Sequence, residues 1–213
     1  MKNSEKIKKL VFAALIIAII IIMGFTPIGY LKIGLAIEVT FLMIPVVIGA
    51  TVLGPAWGTL FGAVFGLTSF FQCFGYSPFG TALFAINPIA TFIMCFVPRI
   101  LMGFLAGLIF QAISKIDKTK IISFIVTSIS GAVLNTAFFT IGFVIFFRNA
   151  NITALNMNLS VMPIWDVIGL LITVNALLEI IVCGVIGTAI SKVIVRFVFK
   201  NNKKSINKAT DAK

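Results

Sequence analysis

Long apolar runs fill most of the chain, broken by short stretches that carry glycine, proline or charge, and the lysines gather at the ends of the runs. A bilayer core of about 30 Å takes about 20 apolar residues per helix. About six segments meet that need, near residues 9–25, 38–54, 56–73, 88–115, 121–147 and 163–197. Leu53, Gly54, Pro55 and Ala56 part the second from the third, a breaker cluster suited to a tight turn between antiparallel helices. The pattern predicts an all-α integral membrane protein with about six transmembrane helices, folded as a single membrane domain over residues 1–200. Residues 201–213 are polar and basic and are expected to form a disordered cytoplasmic tail. The first run is long and no small-residue cleavage site follows it, so a spanning helix is expected there rather than a signal peptide.

Composition agrees with the pattern. Of 213 residues, 60% are hydrophobic and 11% charged, and the mean hydropathy is +1.17. A soluble globule of this size would need a polar exterior that the chain lacks. The net charge of +11 does not point to nucleic acid, because the basic residues sit where juxtamembrane lysines normally do. Lys2, Lys6, Lys8 and Lys9, then Lys115, Lys118 and Lys120, then Lys192, Arg196, Lys200, Lys203, Lys204, Lys208 and Lys213 fall on one side of the six segments. Lys32 and Arg148 fall on the other. By the positive-inside rule both termini are cytoplasmic, which requires an even number of crossings. Tyr30, Tyr76 and Trp165 are then expected near the outer interface and Trp57 near the inner one.

Small residues mark packing faces. Gly54, Gly58, Gly62 and Gly66 recur every four residues along the third segment, a stripe that lets a neighbouring backbone approach closely. Packing inside the bundle is the first expectation for it, and docking of a second subunit the alternative. Ala14 with Ala18, and Gly103 with Gly107, repeat the spacing on the first and fourth segments. Cys73, Cys95 and Cys183 are far apart in sequence and form no CxxC, so they read as small core hydrophobes and not as a disulfide frame or a metal site.

Conventional catalysis finds little to work with. There is no histidine, hence no HExxH site and no imidazole-activated nucleophile. The phosphate-cradling GxxxxGK[ST] loop is also absent. No enzyme activity, cofactor or metal is expected, and any energy for transport must come from elsewhere. The polar residues inside the segments are few: Arg99 and Asn87 on the fourth, Asn135 on the fifth, Asn175 and Glu179 on the sixth, and Gln72 at the outer end of the third. A charge such as Arg99 costs roughly 2.5–3.5 kcal/mol at a helix centre on insertion scales. Pro98 removes the backbone bond to the carbonyl of Met94 and can kink the helix beside that charge. Together these residues can line a pocket that opens outward. The alternative is an internal Arg99–Glu179 ion pair that binds nothing.

The run LKIGLAIEVTFLMIPVVI from Leu31 to Ile48, the GATVLGPAWGTLFGAVFGLTSFFQ that follows, the uncharged CFGYSPFGTALFAINP and the FVPRILMGFLAGLIF around Arg99 together carry a family likeness. The chain resembles the substrate-binding S components of energy-coupling-factor (ECF) vitamin transporters over roughly residues 8–197, and among them the pantothenate type. The resemblance implies a cell-membrane, multi-pass protein with an extended outer loop between helices one and two, here about residues 26–38, that covers the pocket with Gly29 and Gly34 lending it mobility. It implies a vitamin bound from outside by Arg99, Asn135, Asn175, Glu179, Asn87, Gln72 and Trp165. The implied partners are a transmembrane T component, met through Ala14 and Ala18, and two cytoplasmic ATPase subunits. Other cargoes (folate, biotin, riboflavin or a queuosine precursor) and a self-sufficient small permease or channel remain the competing readings.

Overall fold

The computed structural model describes residues 2–33, 37–117, 121–152, 157–158, 163, 165–166, 169, 176 and 179–194. Helix α1 (Lys2–Gly24) leads into an antiparallel hairpin, β1 (Tyr30–Ile33) with β2 (Ile37–Thr40), paired from Tyr30↔Thr40 to Ile33↔Ile37. Helices α2 (Met43–Leu53), α3 (Pro55–Gln72), α4 (Pro78–Ile86), α5 (Pro88–Ile113) and α6 (Ile121–Phe147) follow. A second small hairpin pairs β3 (Asn151–Ile152) with β4 (Met157–Asn158). The final helix is described over residues 179–194 and contains a π-helical turn at Cys183–Gly187.

Three of these helices begin on proline, for one physical reason. At the first helical position proline loses nothing, because that N–H has no intrahelical partner, and the residue before it is held out of the helical region. Ser77 and Asn87 are extended there, and their side chains accept the backbone N–H of Gly80 and Ala90. Before Pro55 stands Gly54 at φ +101°, a conformation that favours glycine. The breaker cluster therefore makes the tight α2–α3 turn that the sequence predicts. The Ser77–Pro78 start was a legible signal as well, yet it falls within a stretch expected to be loop; helix α4 occupies it instead.

The second predicted segment also changes. Residues 38–54 do not form one spanning helix: Ile37–Thr40 pair as β2, and α2 keeps eleven residues, roughly 16 Å at 1.5 Å per residue. Met43 to Thr51 are all buried, so α2 is wrapped on every side, which its uniformly apolar sequence permits. Among the described residues three helices are long and apolar enough to cross a membrane: Lys6–Gly24 in α1, Pro88–Ile113 and Ile121–Phe147. The molecule is a mostly helical membrane protein with two short hairpins in its connections. The expected tail at 201–213, like much of the segment at 163–197, lies outside the described residues.

The glycine stripe of α3 packs within the chain. A Cβ on Gly58 would stand 2.2 Å from the carbonyl oxygen of Gly103, on Gly62 2.2 Å from that of Arg99, and on Gly66 2.9 Å from the Cα of Phe96. The small residues of α5 reciprocate, since a Cβ on Gly103 would lie 2.1 Å from the Gly58 carbonyl oxygen and on Gly107 2.6 Å from the Cα of Pro55. Two backbones thus run in contact for three helical turns, and Arg99 sits in the middle of that seam. Gly62→Ala is expected to destabilise the protein by about 1–3 kcal/mol, the usual cost of forcing atoms into a packed interface. Leu67→Ala, on the exposed face of the same helix, is expected to change little; thermal melting in detergent compares them.

Candidate ligand-binding site

A cavity of about 100 Å³, measured as room for the centres of water-sized spheres, opens where α3, α5 and α6 meet the hairpin and the final helix. One water needs roughly 10–15 Å³ on that measure, so the space suits a larger solute. Arg99, Gln72, Asn135 and Glu179 line it together with Tyr30, Thr40, Ser69, Thr91 and Thr136. A second cavity of about 320 Å³, lined by Gly24, Phe25, Thr26, Pro27, Tyr30, Gln72 and Tyr76, shares Tyr30 and Gln72 with the first.

Arg99 is 6% exposed, and its surroundings follow from Pro98. A helix normally ties the N–H of residue 98 to the carbonyl of Met94; proline has no N–H, so that carbonyl is orphaned. The Nη1 of Arg99 donates to it at 2.8 Å. The guanidinium carbon lies 5.0 Å from the ring centroid of Phe139 and 5.5 Å from that of Phe65, within the range of cation–π attraction. The Nε is buried and has no hydrogen-bond partner. The cation is held in place while part of its donor fork stays uncommitted.

Glu179, 3% exposed, faces the same cavity. Its Oε1 accepts the backbone N–H of Thr40 at 3.0 Å, and its Oε2 the hydroxyl of Thr136 at 3.2 Å. The first bond fastens the end of the β1–β2 hairpin to the final helix. No ion pair joins Glu179 to Arg99; each is held by its own neighbours. The internal salt bridge entertained from sequence is therefore not formed. Asn135 Oδ1 is a further buried oxygen without a partner. The cavity presents a cation, a carboxyl group and unused amide and hydroxyl groups to the same space, the equipment for a solute with an anionic end and several hydrogen-bonding groups.

Tyr30 and Gln72 stand between the two cavities. Gln72 Nε2 donates to the carbonyl of Gly24, tying the end of α3 to the end of α1. Tyr30 packs inside the protein, with only 9% of it exposed. Burial pushes its phenol up to about 12, against the smaller opposing pull of Ser69 and Arg99, so it remains a neutral donor. The loop over the site is thus an ordered hairpin at its base. Gly29 lends no slack there, since a Cβ on it would meet the Met23 carbonyl oxygen at 2.1 Å and its own carbonyl accepts from Phe41 at 2.9 Å. Gly34 lies outside the described residues.

Four of the seven residues singled out from sequence therefore meet at one cavity: Arg99, Asn135, Glu179 and Gln72. Asn87 does not join them. The proline after it holds it extended, and its side chain is spent capping α5 on Ala90 N–H at 3.0 Å. Trp165 is 77% exposed and does not line the cavity. Asn175 lies outside the described residues. Sequence reasoning missed Tyr30, Thr40, Ser69, Thr91 and Thr136. Two of them were within reach: Thr91, Cys95 and Arg99 stand four apart on one face of α5, and Ser69 lies one turn before Cys73 and Gln72 on α3.

A chamber with apolar walls and a few buried polar groups, enclosed by helices whose outer faces are apolar, is the architecture of a membrane protein with an internal cavity. The family model for "ECF transporter, substrate-specific component" matches residues 8–191. The chain belongs to that family, whose members are substrate-binding components of transporters and not enzymes, and which work with a small-molecule substrate and with energising partner subunits. It is also 26% identical over 200 residues to the pantothenic acid transporter PanT of Lactococcus lactis subsp. cremoris (strain MG1363), an overlap covering 89% of this chain and 94% of the relative.

Thr136→Val keeps the shape of the wall but leaves Glu179 Oε2 without its hydroxyl partner. It is expected to destabilise the ligand-free protein by about 1–3 kcal/mol, the cost of an unpaired buried polar atom, read as a lower melting temperature. Thr136→Ser, which keeps the hydroxyl, is expected to recover most of it.

Proposed function

We propose that the chain is the high-affinity vitamin-binding S component of an ECF-type importer in the cell membrane, and that its cargo is pantothenate. The observation that carries this reading is the buried guanidinium of Arg99, which spends one nitrogen on Met94, forms no ion pair among the described residues and keeps its Nε donor unbonded beside the cavity. Pantothenate has one carboxylate, an amide and two hydroxyls. Arg99 takes the carboxylate by charge-assisted hydrogen bonds. Glu179, Asn135 and Gln72 meet the hydroxyls and the amide, while Phe139 forms an apolar wall. Asn175 is kept as a ligand contact on the strength of its four-residue spacing from Glu179. The likeness to a pantothenic acid transporter supports this cargo over other vitamins.

In this reading the chain crosses the membrane six times with both termini in the cytoplasm, and the β1–β2 hairpin covers the pocket from outside. Uptake needs a T component and two ATPase subunits, because the chain has no nucleotide-binding loop. The buried face of α1 carries Ala13, Ile16 and Ile20, whereas Ala14 and Ala18 are exposed. That exposed small-residue pair is the proposed seat for the T component.

Purified protein is expected to bind pantothenate one to one without ATP, measured by calorimetry, while vesicles containing this chain alone take up none. Arg99→Ala is expected to weaken binding at least about 100-fold, roughly 2.7 kcal/mol. Arg99→Lys should fall between, because an ammonium lacks the planar fork. Undiminished affinity in Arg99→Ala would remove the residue from the site, and uptake by the isolated chain would favour a self-sufficient permease. Replacing Ala14 and Ala18 by Trp is expected to leave binding intact and to abolish uptake by the assembled transporter.

A further inference from the structure

Cys73 and Cys95 are 22 positions apart in sequence, and the fold brings their sulfurs to 3.9 Å. Both thiols are reduced and both side chains are buried, at 3% and 4% exposure, yet both line the Arg99 cavity. A molecule that enters the cavity therefore meets two adjacent thiols that are otherwise shut off. We infer that Cys73 and Cys95 are a modification site: an oxidisable dithiol that closes to an intramolecular disulfide when a small peroxide enters the cavity. The inference rests on the cavity's geometry and not on the identity of the vitamin.

The helices are already close enough for the link. A Cβ on Gly66 would lie 3.1 Å from the Cys95 carbonyl oxygen, so α3 and α5 are in backbone contact less than two turns from Cys73. Closure shortens the sulfur separation from 3.9 Å to the ~2.05 Å of a disulfide. The guanidinium of Arg99 lies one turn along the same face of α5, and cationic surroundings are where reactive cysteines are found. With hydrogen peroxide, the Cys95 sulfur attacks the O–O bond, giving a sulfenic acid and one water. The Cys73 sulfur then displaces the sulfenic oxygen as a second water and the S–S bond forms. Two thiols are oxidised by one electron each and the peroxide accepts both, with the thiol protons ending in the two waters.

Closure would also act on α4. Phe79, Gly80 and Leu83 of this helix, with its capping residue Ser77, line the cavity, and a Cβ on Gly80 would lie 2.8 Å from Cys73 Sγ. The disulfide encloses residues 74–94 in a covalent loop and draws that sulfur from under Gly80 towards α5. Cys183 is the internal control: it is buried on the final helix and does not line the cavity.

The test treats the full-length, detergent-solubilised protein with diamide or hydrogen peroxide, alkylates the remaining thiols and maps peptides by mass spectrometry. The expected result is loss of two thiols to a Cys73–Cys95 link, with Cys183 still alkylated and no crosslinked dimer on a non-reducing gel. Cys73→Ser and Cys95→Ser should each prevent the link, and dithiothreitol should reverse it. Hydrogen–deuterium exchange over residues 74–87 should slow several-fold in the oxidised form. Three free thiols after treatment, oxygen addition to Cys95 without a link, or a crosslink between molecules would each overturn the dithiol; unchanged exchange would overturn its hold on α4.

Discussion

Everything polar in this protein hangs on the contact between the backbones of α3 and α5. Where side chains would normally hold helices 8–10 Å apart, glycines at 58, 62 and 66 let α5 lie against α3 at Gly103, Arg99 and Phe96. In a membrane there is no hydrophobic drive to press helices together, so close van der Waals packing has to supply the association. The seam fixes the backbone of Arg99 from behind. Its guanidinium is thereby set between Phe65 of α3 and Phe139 of α6, with Asn135 lining the same cavity.

Pro98 turns this fixed backbone into a held charge. It creates an orphan carbonyl one residue before the arginine's own hydrogen-bonding register, and the guanidinium fills the gap. The defect in the helix and the charge that a membrane would otherwise reject compensate each other, as broken helices in membrane proteins do when side chains reoccupy freed backbone groups. One nitrogen suffices for the repair, which leaves the rest of the fork facing the cavity. Glu179 is managed in parallel, by a backbone N–H of the hairpin and a hydroxyl of α6. A guanidinium and a carboxyl group anchored separately in one cavity leave the space between them open; joined to each other they would form only a brace.

The hairpin β1–β2 and helix α4 cover this chamber from two sides. The hairpin reaches the final helix through the Thr40–Glu179 bond and the end of α1 is tied to α3 through Gly24–Gln72. Glu179 and Gln72, which line the chamber, are therefore also the groups that fasten the elements around it.

By itself the sequence determined the solvent and the chemistry: apolar runs of membrane length, lysines at their ends, a glycine stripe, and a short inventory of polar residues from which Arg99, Glu179, Asn135 and Gln72 could be chosen, because a buried charge in lipid is expensive enough to stand out. It did not determine which of the isolated polar residues meet. Asn87 looked equivalent to Asn135, yet one caps a helix and the other faces the cavity, a difference set by the rotation of each helix against its neighbours. Likewise Cys73 and Cys95 are unrelated in the chain and adjacent in space. Thr40 and Thr136 were invisible as site residues because small hydroxyls are common in apolar segments and acquire meaning only from what they face. Tertiary packing alone decided that a residue's neighbours across the bundle, rather than along the chain, define the site.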